Sequence, residues 1–288
     1  MRSMLHVDWQ GSFSIANQRI EVAGNSQRYV VDVEKFISMY APSKPLLEPL
    51  CFDFLSNGEQ QYLIVDGQQE LWHGQDAQEI VAAFEIQLYT QVLQRIFPHY
   101  LSLHAGCVSQ GDETWLFAGQ SGAGKSSVTT AALLAGWHYL TDEFSLLDAQ
   151  GKIHPMPRPM QWDTPEHPAF PHTMMLQSGK FEREFFTFLD YQQQEVCLQL
   201  WLPKVVEHQA KPLTRLIFPR FDAAASKVEV TPLRRSEALM ELPQHLHQQM
   251  VPSERMKMLN QRLPRDLLFY RMVFSDVHEA WSALNQIS

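Results

Sequence analysis

The sequence is poor in cysteine, and this scarcity excludes two common kinds of small fold. Its three cysteines, Cys51, Cys107 and Cys197, are far apart and form no CxxC pair. A disulfide framework or a zinc ribbon needs cysteines in closely spaced pairs. We therefore expect a protein of the reducing cytoplasm.

Long apolar runs and excess positive charge are also missing. No stretch approaches the roughly 20 apolar residues that a membrane-spanning helix needs, and no apolar signal-peptide segment precedes Asp8. The chain carries 23 Lys and Arg against 32 Asp and Glu, a formal net charge of −9. Nucleic acids and anionic membranes bind proteins through clustered positive charge. We therefore expect a cytoplasmic protein that binds neither.

Residues 1–98 are predicted to form a strand-rich N-terminal region that ends in a helix. Short runs such as RYVVDV alternate with turn residues, which is typical of small antiparallel sheets. Asp76, with Glu79 three residues later, resembles a capping box and predicts the start of the helix. Pro98 predicts its end.

Residues 99–288 have a different pattern, in which strands and helices alternate. LSLHAGCV and TWLFAG predict two strands, and a glycine-rich loop and a helix through Leu134 follow them. HYLTDEFSLLD predicts the next strand. A strand, a glycine loop and a helix in succession form the centre of α/β nucleotide-binding folds. The fold class we expect is therefore α/β.

The glycine-rich loop fits the Walker A pattern G-x-x-x-x-G-K-[ST], although a plain flexible turn is the alternative. Gly122 and Gly124 allow backbone N–H groups to face phosphate oxygens with no Cβ in the way. Lys125 would reach the β- and γ-phosphates of ATP, and the Ser126 hydroxyl would ligate Mg²⁺. The predicted nucleotide-binding residues are Gly119, Gln120, Ser121, Gly122, Ala123, Gly124, Lys125, Ser126 and Ser127.

Two adjacent acids, Asp142 and Glu143, lie where a nucleotide-binding site needs a carboxylate, at the end of an apolar strand. Neighbouring strand residues point to opposite faces unless the chain bends. One carboxylate could then face Mg²⁺ while the other approaches an acceptor. The alternative is a pair of surface acids before a turn.

Together these motifs resemble the HPr kinase/phosphorylase family and, beyond it, the phosphoenolpyruvate carboxykinase-like P-loop proteins. The close resemblance covers residues 101–160 and implies an HPr kinase-like P-loop catalytic domain over residues 99–288. The matching segments, in order, are LHAGCV, GQSGAGKSS, AGWHYLTDEFSLLD and HPMPRPM. The last is similar to a Pro-Arg-Pro segment of shorter HPr-kinase-related proteins.

The resemblance implies a role for each matched residue. Asp142 would take the proton from an acceptor hydroxyl as the γ-phosphoryl group moves, and His104 would support that carboxylate. Lys125 would contact the β- and γ-phosphates, while Ser126 and Glu143 would serve the metal. Without the resemblance, a histidine on a buried strand such as His104 is more often a hydrogen-bonded core residue.

Two departures from the family limit what the resemblance implies. The second acid, Glu143, stands where true HPr kinases usually have Asp. The glycine-bearing loop that serves their reverse, phosphorolytic reaction has no counterpart in this sequence. The resemblance therefore does not extend to phosphorylase activity or to HPr as the substrate.

Further cations could assist phosphoryl transfer by neutralising charge on the phosphate oxygens. Arg158, held between two prolines, is the first candidate for such a contact, and Arg220 is the second. A solvated or carboxylate-paired arginine is the alternative at both positions. Lys180 could close over the nucleotide, but an ordinary loop lysine is the simpler interpretation.

Two other groups of residues are not expected to bind a ligand. Trp115 and Trp137 flank the glycine loop and are expected in the core rather than against a base. Four residues lie close enough in sequence to suggest a zinc site, but the intervening prolines define no ligand geometry: Asp163, Glu166, His167 and His172.

The functional expectation is a kinase that uses ATP and Mg²⁺ to phosphorylate a hydroxyl, most simply a serine on a peptide or small protein. The resemblance also implies a peptide-modification gene neighbourhood and a homo-oligomer. One alternative is an acceptor-independent nucleotide hydrolase, in which Glu143 would orient water. Another is a nucleotide-sensing binding protein that has no turnover.

Overall fold

The computed structural model describes residues 7–26, 29–42, 48–56, 62–66, 69–162, 166–167, 169–189 and 194–287. The fold is mixed α/β and rich in strands. Contacts divide the chain into two compact units: residues 1–98 with 183–202, and residues 99–182 with 203–288. No helix in the described ranges is long and apolar enough to cross a membrane.

The first unit is built on a six-stranded sheet with the order β3-β1-β2-β4-β5-β6. Strands β2 and β4 run parallel, and the other strand pairs in the described part of this sheet are antiparallel. Two helices belong to the same unit, α1 (Val30–Ile37) and α2 (Glu79–Ile96). The strands are β1 (Trp9–Ile15), β2 (Gln18–Gly24), β3 (Ala41–Pro42), β4 (Leu50–Ser56), β5 (Tyr62–Asp66) and β6 (Gln69–Gly74).

Helix α1 corrects the prediction that RYVVDV forms a strand. Its side chains at Val30, Val33 and Phe36 are buried. This spacing of three residues is the period of one helical face, and it extends beyond the short run that resembled a strand. The longer amphipathic pattern decides the conformation because it buries one side of a helix completely.

Helix α2 has the predicted apolar face but begins without the predicted capping box. The face consists of Ile80, Phe84, Leu88, Val92 and Ile96, all of them buried. The helix starts directly at Glu79, and the Asp76 carboxylate instead accepts a hydrogen bond from the backbone N–H of Gln78. The periodic pattern therefore predicted the helix correctly, but the prediction of a capping box was wrong.

The second unit contains a nine-stranded sheet with the order β14-β11-β10-β7-β8-β15-β17-β16, in which β9 also pairs with β7. Strand β15 runs parallel to both β8 and β17. Its strands are β7 (Leu101–Gln110), β8 (Glu113–Ala118), β9 (His138–Thr141), β10 (Phe144–Leu147), β11 (Lys152–His154), β14 (Lys211–Pro212), β15 (Arg215–Phe221), β16 (Glu229–Pro232) and β17 (Leu268–Phe274).

The helices of the second unit are α3 (Lys125–Leu134), α4 (His172–Gln177), α5 (Arg235–Glu241), α6 (Pro252–Arg262) and α7 (Val277–Leu284). The Asp276 carboxylate caps α7 by accepting from the N–H groups of His278 and Glu279. Strands β12 (Phe181–Leu189) and β13 (Glu195–Pro203), most of whose residues belong to the first unit, form a separate two-stranded sheet.

The strand predicted over HYLTDEFSLLD is interrupted between Thr141 and Phe144. Both halves, β9 and β10, pair antiparallel with β7, and the register of β9 shifts beside Cys107. The Thr141 hydroxyl accepts hydrogen bonds from the N–H groups of Glu143 and Phe144, which stabilises the bend. Because the chain bends here, Asp142 and Glu143 are not held to opposite faces of a strand.

Trp115 and Trp137 lie in the core, as predicted. Both are buried, and their ring centroids are 4.5 Å apart. Trp281 of α7 packs against both rings. The three tryptophans thus join α7 to the strand before the glycine loop and to the segment after α3.

Candidate functional site

The glycine loop (residues 119–124) connects β8 to α3, and its backbone conformation requires glycine. Gly122 and Gly124 have φ values of +77° and +93°, which L side chains rarely adopt. At Gly124 a Cβ would also lie 2.6 Å from Cζ of Phe274. The loop closes on itself, since the Gln120 carbonyl accepts from the N–H of Ala123 at 3.1 Å. Its shape is therefore set by its own residues and by Phe274 beneath it.

Helix α3 begins at Lys125, directly after the loop. The first N–H groups of a helix have no partner within it, and its N-terminus carries partial positive charge. The Lys125 side chain is buried, and its Nζ donates to the Gln120 carbonyl at 3.1 Å. Burial lowers the pKa of Lys125, while the nearby charges of Asp142 and Glu143 partly offset that effect. The loop and the helix start thus present donors and positive charge.

A cavity of about 890 Å³ opens beside the loop and lies within the second unit. Small-molecule sites in proteins are typically about 300–1,000 Å³. The predicted site residues that line it are His104, Ser121, Gly122, Gly124, Lys125, Ser126, Ser127, Asp142, Glu143 and Arg158. Gly119, Gln120 and Ala123 belong to the loop but do not line the cavity.

Asp142 is a buried carboxylate in the wall of this cavity, only 8% exposed. Its side chain hydrogen-bonds Ser126, yet its Oδ1 atom has no hydrogen-bond partner among the described residues. Burial raises its pKa to about 6, and the neighbouring charge of Glu143 acts in the same direction. The hydrogen bond from Ser126 and the charges of Arg158 and Lys125 limit the increase.

The surroundings of Glu143 shift its pKa in the opposite direction from that of Asp142. Its Oε1 lies 3.3 Å from Nε2 of His104 and 3.8 Å from Nε2 of His247, and its Oε2 lies 4.0 Å from a guanidinium nitrogen of Arg158. Burial raises the pKa of Glu143, but the hydrogen bonds from the two histidines and the charge of Arg158 outweigh it. The pKa is held well below its usual range, so this carboxylate stays ionised.

His104 therefore contacts a different acid from the one that the family resemblance implies. Its imidazole pairs with the Glu143 carboxylate, and no ion pair joins it to Asp142 among the described residues. The reason is the bend between β9 and β10, which pairs Phe144 with His104 and brings the preceding residue, Glu143, to the imidazole. We call His104, Asp142, Glu143 and Arg158 the acid cluster.

The two weaker cation candidates lie elsewhere. Arg220 is exposed and pairs with Asp222 at 3.1 Å, as the carboxylate-paired alternative predicted. Lys180 follows helix α4, where its backbone N–H donates to the Ser178 hydroxyl. Neither residue lines the cavity.

A second group of cavity residues was not assigned to a nucleotide site by the sequence pattern. We call it the aromatic cluster: Trp162, His167, Phe221, Phe274 and His278. The Nε2 of His278 donates a hydrogen bond to the Ala169 carbonyl oxygen at 3.1 Å. The residues of this cluster come from three segments that are far apart in the sequence, so no local sequence pattern predicts that they lie together. Only the order of the strands brings them to one cavity.

His167 contacts the first turn of α3. Its Nε2 lies 2.8 Å from the Ser127 hydroxyl oxygen, and its Nδ1 accepts from the N–H of Ala169 at 3.1 Å. A neutral imidazole whose Nδ1 accepts carries its proton on Nε2. His167 therefore donates to Ser127, and the Ser127 hydroxyl keeps its own proton for another acceptor. Burial and the charge of His278 lower the pKa of His167, which favours this neutral form.

Metal binding by protein side chains alone is not indicated. Within the described ranges, no group of three or more His, Cys, Asp or Glu side chains could hold a metal ion. Of the four residues considered for zinc, Asp163 lies outside the described ranges. Mg²⁺ needs fewer protein ligands, because it usually keeps waters and uses one or two carboxylates with substrate phosphates. Ser126, Asp142 and Glu143 are suitable oxygen donors for such a site.

No protein-family model matches this chain, and no curated protein matches it either. The chemistry of the cavity therefore has to be inferred from its own residues.

Proposed function

We propose that this chain is an ATP- and Mg²⁺-dependent kinase, related to HPr kinases, that phosphorylates a serine hydroxyl on a peptide or small protein. The observation that carries the proposal is the Asp142 carboxylate, which lies in the cavity wall with Lys125 and Ser126 and is only 8% exposed. A buried carboxylate with a shifted pKa beside a lysine and a hydroxyl is typical of sites that transfer protons. The rest of the cavity supplies what phosphoryl transfer needs.

Phosphate binding is supported by the loop and the helix start. Gly122 lines the cavity, and a Cβ placed on it would stand in open space, so a glycine there leaves room for a ligand to approach the backbone. The unpartnered N–H groups at the start of α3 favour an anion. Lys125 lines the same cavity, and a bound phosphate would replace the Gln120 carbonyl as the acceptor for its ammonium group.

The residues present also suit a magnesium ion held together with phosphate oxygens. Ser126 and Glu143 would hold it, and a bound Mg²⁺ would neutralise charge on the β- and γ-phosphate oxygens. Glu143 suits this role because its low pKa keeps it ionised. Arg158, beside it, would add a second positive charge near the γ-phosphate.

Asp142 is better suited than Glu143 to accept the proton of the acceptor. A general base works best when its pKa lies near the working pH, and the pKa of Asp142 is raised to about 6. As the acceptor oxygen forms its bond to the γ-phosphorus and the bond to the β-phosphate oxygen breaks, the hydroxyl proton would pass to Asp142. ADP would leave, and Asp142 would release the proton to solvent.

The test uses purified protein, Mg²⁺, γ-labelled ATP and a library of seryl peptides, with label measured in peptide and in free phosphate. Label should move to serine. Asp142→Asn should reduce transfer by roughly 100-fold or more, the usual contribution of a general base. Asp53→Asn is the matched control, because Asp53 is a similarly buried aspartate in the other unit. It should retain transfer per folded molecule.

Other outcomes would point to the alternatives. Acceptor-independent release of phosphate, with no labelled peptide, would indicate a nucleotide hydrolase. Nucleotide binding without either product would indicate a nucleotide sensor. Unchanged transfer by Asp142→Asn would refute the role given to Asp142.

A further inference from the structure

The strand order separates the two residue clusters of the cavity. Asp142 follows β9, which pairs with β7, whereas Phe221 ends β15 on the other side of β8. The path from β9 through β7 and β8 to β15 crosses three strand spacings, about 14 Å at ~4.8 Å each. The glycine loop leaves β8, between them. Asp142 and Phe221 therefore lie on opposite sides of the loop.

The parallel strands place the aromatic cluster where ligands of open α/β sheets usually bind. Strands β8, β15 and β17 run parallel, so their carboxyl ends meet at one edge of the sheet. Ligands of such sheets bind beyond the carboxyl ends of the strands. Phe221 and Phe274 are the last residues of β15 and β17, and both line the cavity.

The two phenylalanines have different surroundings. Phe274 is buried beneath Gly124, and it supports the loop. Phe221 packs edge-on against Phe274, with ring centroids 5.9 Å apart, yet remains 50% exposed. An aromatic ring exposed to this extent in a cavity wall offers an apolar face that a flat ligand can cover.

Ser127 and His167 connect this side of the cavity to the helix start. Successive residues of a helix are rotated by about 100°. Ser126 is directed to Asp142 in the acid cluster, while Ser127, the next residue, is directed to His167 in the aromatic cluster. Because His167 donates to it, the Ser127 hydroxyl can donate to a phosphate oxygen on the side away from Asp142.

We propose that the aromatic cluster is the nucleoside subsite, with the base stacked on Phe221 and Ser127 donating to the α-phosphate. This inference rests on the proposed function, which places the γ-phosphate beside Asp142. A triphosphate chain that starts at the acid cluster and passes over the glycine loop leads its nucleoside to the opposite side. Stacking accepts any base, since every base has an aromatic face.

The test compares the binding of Mg²⁺·ATP and of Mg²⁺·tripolyphosphate, a probe that has the phosphates but no nucleoside, by calorimetry. The wild-type chain should bind ATP at least about 10-fold more tightly than tripolyphosphate, the size of one stacking interaction. Phe221→Ala should remove most of this difference in affinity. Its affinity for tripolyphosphate should stay unchanged, and this result would show that the glycine loop is still folded. Phe221→Trp should restore it.

Phe185→Ala is the matched control, because Phe185 is equally exposed at 50% but belongs to the other unit. It should leave both affinities unchanged. Equal binding of the two probes by the wild-type chain, or full ATP affinity in Phe221→Ala, would overturn the nucleoside subsite and leave the phosphate site standing. Binding of neither probe would overturn the proposed function, and the subsite with it.

Discussion

Asp142 and Glu143 are adjacent in the chain, yet their surroundings shift the pKa values of the two carboxyl groups in opposite directions. Burial dominates for Asp142, whose Oδ1 has no partner among the described residues. For Glu143 the contacts with His104, His247 and Arg158 outweigh burial. Opposite environments of this kind allow two neighbouring acids to take different roles in one reaction.

Asp142→Asn should stabilise the protein at neutral pH. The folded pKa of about 6 lies above the ordinary value of 3.8 that an unfolded chain has, so the favourable contribution of Asp142 is present below pH 3.8 and is lost as the pH rises through 6. Asparagine has no charge to bury. At pH 8 the free energy of unfolding of this variant should exceed that of the wild type by about 3 kcal/mol. Denaturation at pH 8 and pH 4 checks this: the gain should shrink in acid, and a less stable variant at pH 8 would contradict it.

Glu143→Gln should have the opposite effect on stability. Because the folded pKa of Glu143 is depressed, the carboxylate stabilises the fold above its unfolded pKa, and this contribution is lost as the pH falls through the folded value. The variant should unfold more easily than the wild type at pH 7, and the difference should diminish in strong acid. Thermal unfolding across this pH range measures it.

Glu70→Gln is the control for this change. Glu70 also contacts a histidine, His73, at 2.6 Å, but both side chains are largely exposed. Exposed ion pairs contribute little, so this variant should match the wild type. Equal losses in the two variants would mean that burial of Glu143 is irrelevant.

Gly122→Ala should abolish tight nucleotide binding with only a small loss of stability. Its φ of +77° makes alanine unfavourable by about 1–2 kcal/mol, and the new Cβ would occupy open space in the cavity wall. Gly136→Ala is matched, because Gly136 has a φ of +95°, an equally open Cβ position and no part in the cavity. Both variants should lose similar stability in thermal unfolding. If Gly136→Ala weakened ATP binding as strongly in calorimetry, the effect would be general strain.

Arg235→Ala should destabilise the second unit without affecting nucleotide binding. The Arg235 guanidinium donates to the carbonyls of Asn260, Leu263 and Pro264, which end helix α6. Charged hydrogen bonds of this kind stabilise by about 1.5–3 kcal/mol. Arg271→Ala, which removes an exposed pair with Glu241, should cost less than about 1 kcal/mol. Chemical denaturation compares the two variants, and similar losses would contradict the argument.

Local signals were sufficient to predict the elements around the glycine loop. The strands β7 and β8 and the helix α3 are where the sequence indicated, because apolar strands, turn residues and glycine spacing act within a few residues. The same reasoning failed at RYVVDV, where a helical face extends beyond a strand-like run. It also predicted one continuous strand over HYLTDEFSLLD and left open the bend after Thr141, which depends on pairing with β7.

The sequence by itself determined the glycine loop, the helix that follows it and two adjacent acids directly after the next apolar segment, because these features depend on neighbours in the chain. Only the tertiary structure decided which acid meets the histidines, and which aromatic rings share the cavity. Glu143, His104, His247 and Arg158 come from separate segments, as do Trp162, Phe221 and Phe274. Burial and electrostatic interaction depend on distance in space, and the order of strands in the sheet sets that distance.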